Sequence, residues 1–417
     1  MKAAEVPSNT NEGKQRRWIG VVVMAMAGFS LGADLYMLPA VLPSLAKDLH
    51  MEISSAGKML TIYAAISALA APLLVVLFRQ VNRRTLLIAS VAVLIITNLL
   101  VALVPGSGWF ALTRVLAALA AAVLAPIRTA VAGMLAPKGM QARAIAIATV
   151  GQSAALVLGA PVGQWVAQDF SWRTGFAGAA AVSLVALLGI LLIVPSIPST
   201  SRAALKEQAA VLRNGKVRLI LMSNTASLCG AFVLLTFLRP VLAQITVLGP
   251  TASSAVFVTY GLAGTAGNAL AGWAGQRMGS TRVMLFGLVL GAVALAGFSL
   301  LFLWPASTFS TAAVIVLVIL WGVGAWAFYA MQFTRLVELA PTAPMAALSW
   351  ASPASFLGVS LGSYLGGFTL SHGSAALLGG TASACFVVSA GCVLATMLER
   401  KGGEPSLALP ASGKPIG

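Results

Sequence analysis

Long apolar runs fill this chain, and the positions of its few charges decide how those runs can be arranged. A helix that crosses a bilayer needs about 20 predominantly apolar residues. Twelve runs of that order occur, at 18–43, 54–78, 85–105, 109–136, 144–168, 174–196, 217–243, 252–275, 283–305, 311–338, 343–370 and 374–398. They lack the two-residue alternation of a barrel strand, so transmembrane helices are predicted. Only 9% of the 417 residues are charged and 59% are hydrophobic, whereas a soluble domain carries about 25% charged residues. The mean hydropathy is +0.95. Such a chain cannot cover itself with polar groups, and lipid must be its main solvent. The expected class is an all-α polytopic membrane protein.

A net charge of +16 would point to nucleic acid in a soluble domain. Here the cations fall mostly in connectors and tails. Lys2, Lys14, Arg16 and Arg17 precede the first run, and Arg79, Arg83 and Arg84 follow the second. Lys138 and Arg143, a set from Arg202 to Arg218, then Arg277 and Arg282, occupy the later even-numbered connectors. Odd-numbered connectors offer only Lys47, Lys58 and Arg173. The positive-inside rule therefore puts both termini and the central connector in the cytoplasm, and no nucleic-acid partner is expected. The first run is too long for a signal-peptide core, so a retained first span is predicted. The expected location is the cell (inner) membrane.

The long connector "PSTSRAALKEQAAVLRNGKVR" divides the runs six and six. The two halves echo each other: "EISSAGKMLTIY" resembles "TASSAVFVTY", and Arg79 and Arg84 recur as Arg277 and Arg282. A weak repeat relating six-span halves is a carrier signature, with the substrate site where the halves meet. The predicted organisation is a tail (1–17), a bundle (18–197), a linker (198–216), a second bundle (217–398) and a tail (399–417).

Other chemistries lack their residues. There is no phosphate-cradling G-x-x-x-x-G-K-[ST] run. His50 and His372 fall in separate external connectors, and Cys229, Cys385 and Cys392 lack metal or redox spacing. The cysteines are expected to be inert packing residues. No cofactor, metal or enzymatic activity is expected. Energy for uphill movement would have to come from an ion gradient.

Among the ten acids only Asp34 falls clearly inside a span; Glu338 sits at the inner end of span ten. A carboxylate at membrane depth costs roughly 2.5–3.5 kcal/mol on insertion scales, so such residues usually face an interior and carry function. Asp34 precedes Pro43 by a rise of about 14 Å, and Arg114 lies about 8 Å inside the outer end of span four. If spans one and four touch, the two can pair. An adjacent arginine favours the ionised acid and burial favours the neutral one. Asp34 is thus the candidate proton carrier, with Arg114 its partner; a purely structural pair is the alternative.

Arg128 and Arg335 fall near inner helix ends, where snorkelling to the headgroups is expected. Arg239 either snorkels or serves a cavity or gate. Tyr63, Gln152, Asn224, Asn268, Trp326, Tyr329 and Gln332 are cavity candidates whose exposure depends on helix rotation. Gly159, Pro161 and Gly163 can kink span five and let it pack closely. Gly358, Gly362, Gly366 and Gly367 form a small-residue stripe, read as close packing with a gating role as the alternative.

These residues resemble the major facilitator superfamily, and within it the twelve-span drug:proton antiporter branch. "FSLGADLYMLPAVLPSLAKDL" is similar to that branch's first span. "RQVNRR" resembles its loop after span two, with Arg83 and Arg84 in place but Arg79 and Asn82 where the family has Asp and Gly. "LTRVLAALAAA" matches the span-four arginine motif at Arg114, and "LGAPVGQ" the antiporter motif of span five. "LLTFLRPVLAQIT" looks most like bacterial purine nucleoside and base efflux pumps, with sugar and chloramphenicol exporters sharing much of the pattern. The resemblance implies proton coupling at Arg114 and a helix-shaping role for Pro161. Arg83, Arg84, Arg277 and Arg282 are the matching gate positions.

The reading is a monomeric secondary transporter exporting a small organic molecule by proton antiport. Proton-coupled uptake of a small metabolite or sugar is the alternative within transport. A non-transporting membrane receptor or assembly factor is the alternative outside it.

Overall fold

The computed structural model describes residues 11–78, 80–101, 103, 106–137, 140–159, 170–198 and 209–398. The first ten residues, most of the expected linker and the tail from 399 lie outside these, as do Arg79, Pro161 and Gly163. The described helices are α1 (Asn11–Asp48), α2 (Ile53–Leu77), α3 (Arg83–Val101), α4 (Ser107–Leu135) and α5 (Gln141–Ala154). A π-helical turn, Ala155–Gly159, continues α5. Then come α6 (Trp172–Ile193), α7 (Gly215–Leu235), α8 (Leu238–Ile245), α9 (Pro250–Met278) and α10 (Ser280–Leu300). The last are α11 (Thr308–Leu339), α12 (Pro344–Ser349), α13 (Ala351–His372) and α14 (Leu377–Leu398). Among the described residues the only strand-like pairing is one isolated bridge, Thr246 to Ser307.

Nine described helices are long and apolar enough to cross a membrane. Two more expected spans, in α9 and α13, have the length, but Gly, Ser, Thr and Ala dilute their apolar residues. The expected fifth span runs from α5 into residues outside the described set. Leu69, Leu73 and Leu77 on α2 are exposed at four-residue spacing. Such a stripe suits a helix face turned to hydrocarbon.

Two predicted runs are broken. The run 217–243 is interrupted between Leu235 and Leu238. Pro240 has no N–H to donate, and its ring would collide with the carbonyl of residue 236 in a continuous helix. The run 343–370 is split at Trp350, between α12 and α13.

Packing sorts the helices into two groups. α1 packs on α4, α5 and α6, with α3 against α4 and α6 and α2 against α4. In the second group α7 packs on α13 and α14, α11 on α9 and α10, and α10 on α14. The groups meet where α2 lies along α13, where the π turn touches α9, and where α1 touches α8. The glycine stripe explains one close approach. A Cβ on Gly358, Gly362 or Gly366 would stand 2.5, 2.3 or 2.7 Å from the carbonyls of Thr225, Cys229 and Val233. The stripe brings α13 onto α7 backbone to backbone, and the opposite face of α13 is left for α2.

Candidate functional site: a central cavity and a buried ion pair

Asp34 of α1 and Arg114 of α4 do meet. Arg114 Nη1 donates to Asp34 Oδ1 at 3.1 Å, and the residues are 1% and 2% exposed respectively. Arg114 Nη2 donates to Asn98 Oδ1 of α3 at 3.2 Å. The guanidinium also lies over the rings of Phe110 (5.2 Å) and Phe176 (4.8 Å), and these pack edge-to-face with Trp172. Cation–π contacts of this kind gain strength when desolvated. Asp34 Oδ2 and Arg114 Nε have no hydrogen-bond partner. The acid is therefore only half satisfied, inside an apolar shell where its proton state sets the strength of the pair.

A cavity of about 1010 Å³ lies where the two helix groups meet. Its wall reaches from Leu35 and Tyr36 of α1 to Arg83 and Glu338 at one end of the molecule. Leu31 and Leu35 belong to the wall, whereas Asp34 between them turns away toward Arg114. One thickness of α1 thus separates the pair from the cavity.

Gln152, Asn268, Trp326 and Tyr329 line the cavity. Tyr63, Asn224, Arg239 and Gln332 are not in its wall, because helix rotation turns them elsewhere. Tyr63 is buried edge-on against Phe356, its hydroxyl without a partner. Asn224 Nδ2 donates to Ala351 O and to Ser355 Oγ, which does reach the wall. Arg239 Nη1 donates to Ala40 O at 3.2 Å, a tie between the groups at the end opposite Glu338. Gln332 is buried with both amide atoms unpartnered.

The expectation that Arg128 snorkels is corrected. It is 2% exposed and turned inward: Nη1 donates to Ala148 O and Nη2 to Gln152 Oε1, each at 2.7 Å. Glycines make room for it. A Cβ on Gly28 would sit 2.7 Å from Arg128 Nη1, and one on Gly151 would sit 1.7 Å from Ala25 O. Arg335 instead pairs with Glu338 at 2.9 Å, near the cavity mouth.

The gate candidates of the first group hold that group together. Arg84 Nη2 donates to Leu191 O at 2.5 Å, Asn82 Nδ2 to Ser196 Oγ at 2.6 Å, and Arg83 Nη1 to Met134 Sδ at 3.6 Å. Asn82 Oδ1 also accepts from Arg84 N at 2.9 Å, so this residue braces the start of α3. Arg277 stacks on Trp273, and Arg282 is exposed. Gly159 ends the π turn.

Asn98, Tyr36, Tyr260 and Ser355 join these sites without having been singled out in the sequence. Periodicity offers no signal for an amide such as Asn98, apart from being polar in an apolar helix.

A polytopic helical membrane protein with a cavity between two helix groups has the architecture of a carrier. The chain belongs to the Major Facilitator Superfamily, whose family model matches residues 24–342. It is 27% identical over 347 residues to YbcL of Bacillus subtilis (strain 168), described as an uncharacterized MFS-type transporter. That alignment covers 83% of this chain and 87% of YbcL. The fold is similar to the crystal structure of a mutant of the nucleoside transporter NupG, at a TM-score of 0.70 and 14% identity. That match covers 91% of this chain and 99% of NupG. The protein is thus a membrane transporter of this superfamily, with a small molecule as its substrate.

Proposed function

We propose that this chain exports a small organic molecule in exchange for protons, by alternating access of the helix bundles 18–197 and 217–398. Purine nucleosides or bases rank first as substrate and amphipathic drugs second. The observation that carries the reading is the Asp34–Arg114 pair, buried one helix thickness from the cavity. Asp34 is the proton carrier. Its protonation removes the charge that holds Arg114, leaving Asn98 as the remaining acceptor and freeing α1 to shift against α4. The cavity opens at the end bearing Arg83 and Glu338, which the connector charges assign to the cytoplasm of the inner membrane. A cavity loaded from that side suits export, and Trp326 and Tyr329 offer ring-stacking surfaces for a heterocycle.

Inverted membrane vesicles test this with radiolabelled purine nucleosides, chloramphenicol and a sugar analogue. An imposed pH gradient should drive accumulation of one class by the wild type, a protonophore should abolish it, and Asp34→Asn should lack it. Proton-driven accumulation by Asp34→Asn would sink the assignment. Accumulation confined to right-side-out vesicles would mean uptake.

A further inference from the structure

We propose that the cavity is a receptor for a singly charged organic anion built on an aromatic ring, with Arg128 as its anion-binding residue. The inference rests on reading the cavity as the substrate site and narrows that substrate to an ionised aromatic molecule, which favours acidic purine bases and anionic drugs over neutral nucleosides.

The cavity wall among the described residues holds three charged side chains: Arg83, Arg128 and Glu338. Glu338 is already compensated, since its Oε2 accepts from Arg335 Nη1 and Ser280 Oγ, each at 2.9 Å. Arg83 opens α3 at the mouth, where its Nη1 donates to Met134 Sδ at 3.6 Å. That leaves Arg128 as the charge deeper in the wall. Its partners, Ala148 O and Gln152 Oε1, are neutral. Three described ion pairs, Arg114–Asp34, Arg173–Asp48 and Arg335–Glu338, do not include it. Its Nε is buried with no hydrogen-bond partner.

A guanidinium carries five donors in a planar fork that matches a carboxylate. Here two of them are used on acceptors that bring no countercharge. A cation in low dielectric without its counterion projects a strong field into the adjoining cavity. The rest of the wall is neutral near it: Gln152, Asn268 and Ser355 supply polar groups. Trp326, Tyr329 and Phe333 form an edge-to-face series along α11, with centroids 5.7 and 5.2 Å apart. Tyr36 and Tyr260 join the wall. A cavity of this size holds one drug-sized ligand. An aromatic anion satisfies both halves of the wall, whereas an organic cation meets an uncompensated arginine. Selection by repulsion works in the same direction as selection by attraction.

The test is equilibrium binding to the detergent-purified full chain, with naphthalene-2-carboxylate, its neutral carboxamide and 2-naphthylmethylammonium as probes. The wild type should bind the carboxylate on the order of ten-fold more tightly than the amide, as a charge-assisted pair requires, and should not bind the ammonium. Arg128→Gln should bind carboxylate and amide alike, and Arg128→Lys should keep part of the preference. Gln152→Glu supplies a fixed countercharge and should lose the carboxylate preference with Arg128 still in place; it decides the matter if Arg128→Gln does not fold. Equal binding of carboxylate and amide by the wild type, binding of the ammonium, or binding of no probe would each overturn the proposal. Binding needs no proton gradient. Failure of proton-driven export therefore leaves this inference standing, and loss of the charge preference leaves the export reading standing.

Discussion

Ser363 Oγ donates to the backbone carbonyl of Gly57 at 2.9 Å, joining helices α13 and α2 across the two groups. One turn earlier Ser360 Oγ donates to Thr61 O at 3.2 Å. Phe237 fills the same seam: a Cβ on Gly57 would stand 2.5 Å from its Cζ. These contacts lie away from the cavity mouth, so they close the opposite end. Gly57→Val should force Phe237 aside and open that end. With the three native cysteines replaced by alanine, a reporter cysteine at buried Ser54 should then react faster with a membrane-impermeant maleimide. Ser363→Ala, which loses about 1 kcal/mol of hydrogen bond, should show a smaller increase in the same assay.

The Asp34–Arg114 pair makes a second prediction about stability. Breaking a buried pair by removing one partner costs about 3–5 kcal/mol, because the other charge is left uncompensated. Asp34→Asn and Arg114→Met should each lower the melting temperature of the purified protein. The double variant should recover most of that loss, since it leaves neither charge behind. Thermal unfolding of the four proteins gives the coupling directly. Additive losses would mean that the two side chains do not interact.

How much of this was legible beforehand depends on how rare each signal is. Charges inside apolar runs are few, so counting residues from the helix ends is enough to bring Asp34 and Arg114 into the outer half of the membrane. Depth says nothing about rotation. Tyr63, Asn224 and Gln332 are on spans that frame the cavity, yet they turn into helix contacts while Gln152, Trp326 and Tyr329 face it. Arg128 departs from its expected place for a related reason. Its nearness to a helix end suggested snorkelling, but Gly28, Ala148 and Gln152 provide an inward berth. Those residues are distant in sequence, and no spacing rule links them to residue 128. The break after Leu235 was hidden because the run stays apolar through it, and only Pro240 marks the change.

Glycine positions should separate sharply by what stands opposite them. A Cβ on Gly151 would lie 1.7 Å from Ala25 O, a backbone atom that cannot rotate away, while Gly391 has nothing within 4 Å. Gly151→Ala should push α5 off α1, with overpacking costs of about 1–3 kcal/mol or more. It should also disturb Arg128, whose acceptors Ala148 and Gln152 lie on α5. Gly391→Ala should be neutral or stabilising by about 0.5–1 kcal/mol, the usual gain from replacing a helical glycine. Melting temperatures measured side by side would check both, and equal effects would contradict the close α1–α5 contact.

Cys229 and Cys385, expected only to fill space, approach to 3.8 Å between their sulfurs across the α7–α14 seam. Both thiols are free. The seam is tight, since a Cβ on Gly230 would stand 2.5 Å from Ala382 O, and Ser223 and Ser389 hydrogen-bond across it at 2.8 Å. A disulfide needs the sulfurs about 2 Å apart, so side-chain rotation must close the remaining gap. Copper-phenanthroline oxidation should link Cys229 to Cys385 in the folded protein, leave Cys392 free, and be visible by mass spectrometry of unreduced peptides. The two helices belong to one packing group, so a bond between them should not stop motion of one group against the other. Transport should therefore survive the cross-link. Loss of transport on oxidation, restored by reductant and absent in Cys385→Ala, would show that α7 and α14 slide past each other during the cycle.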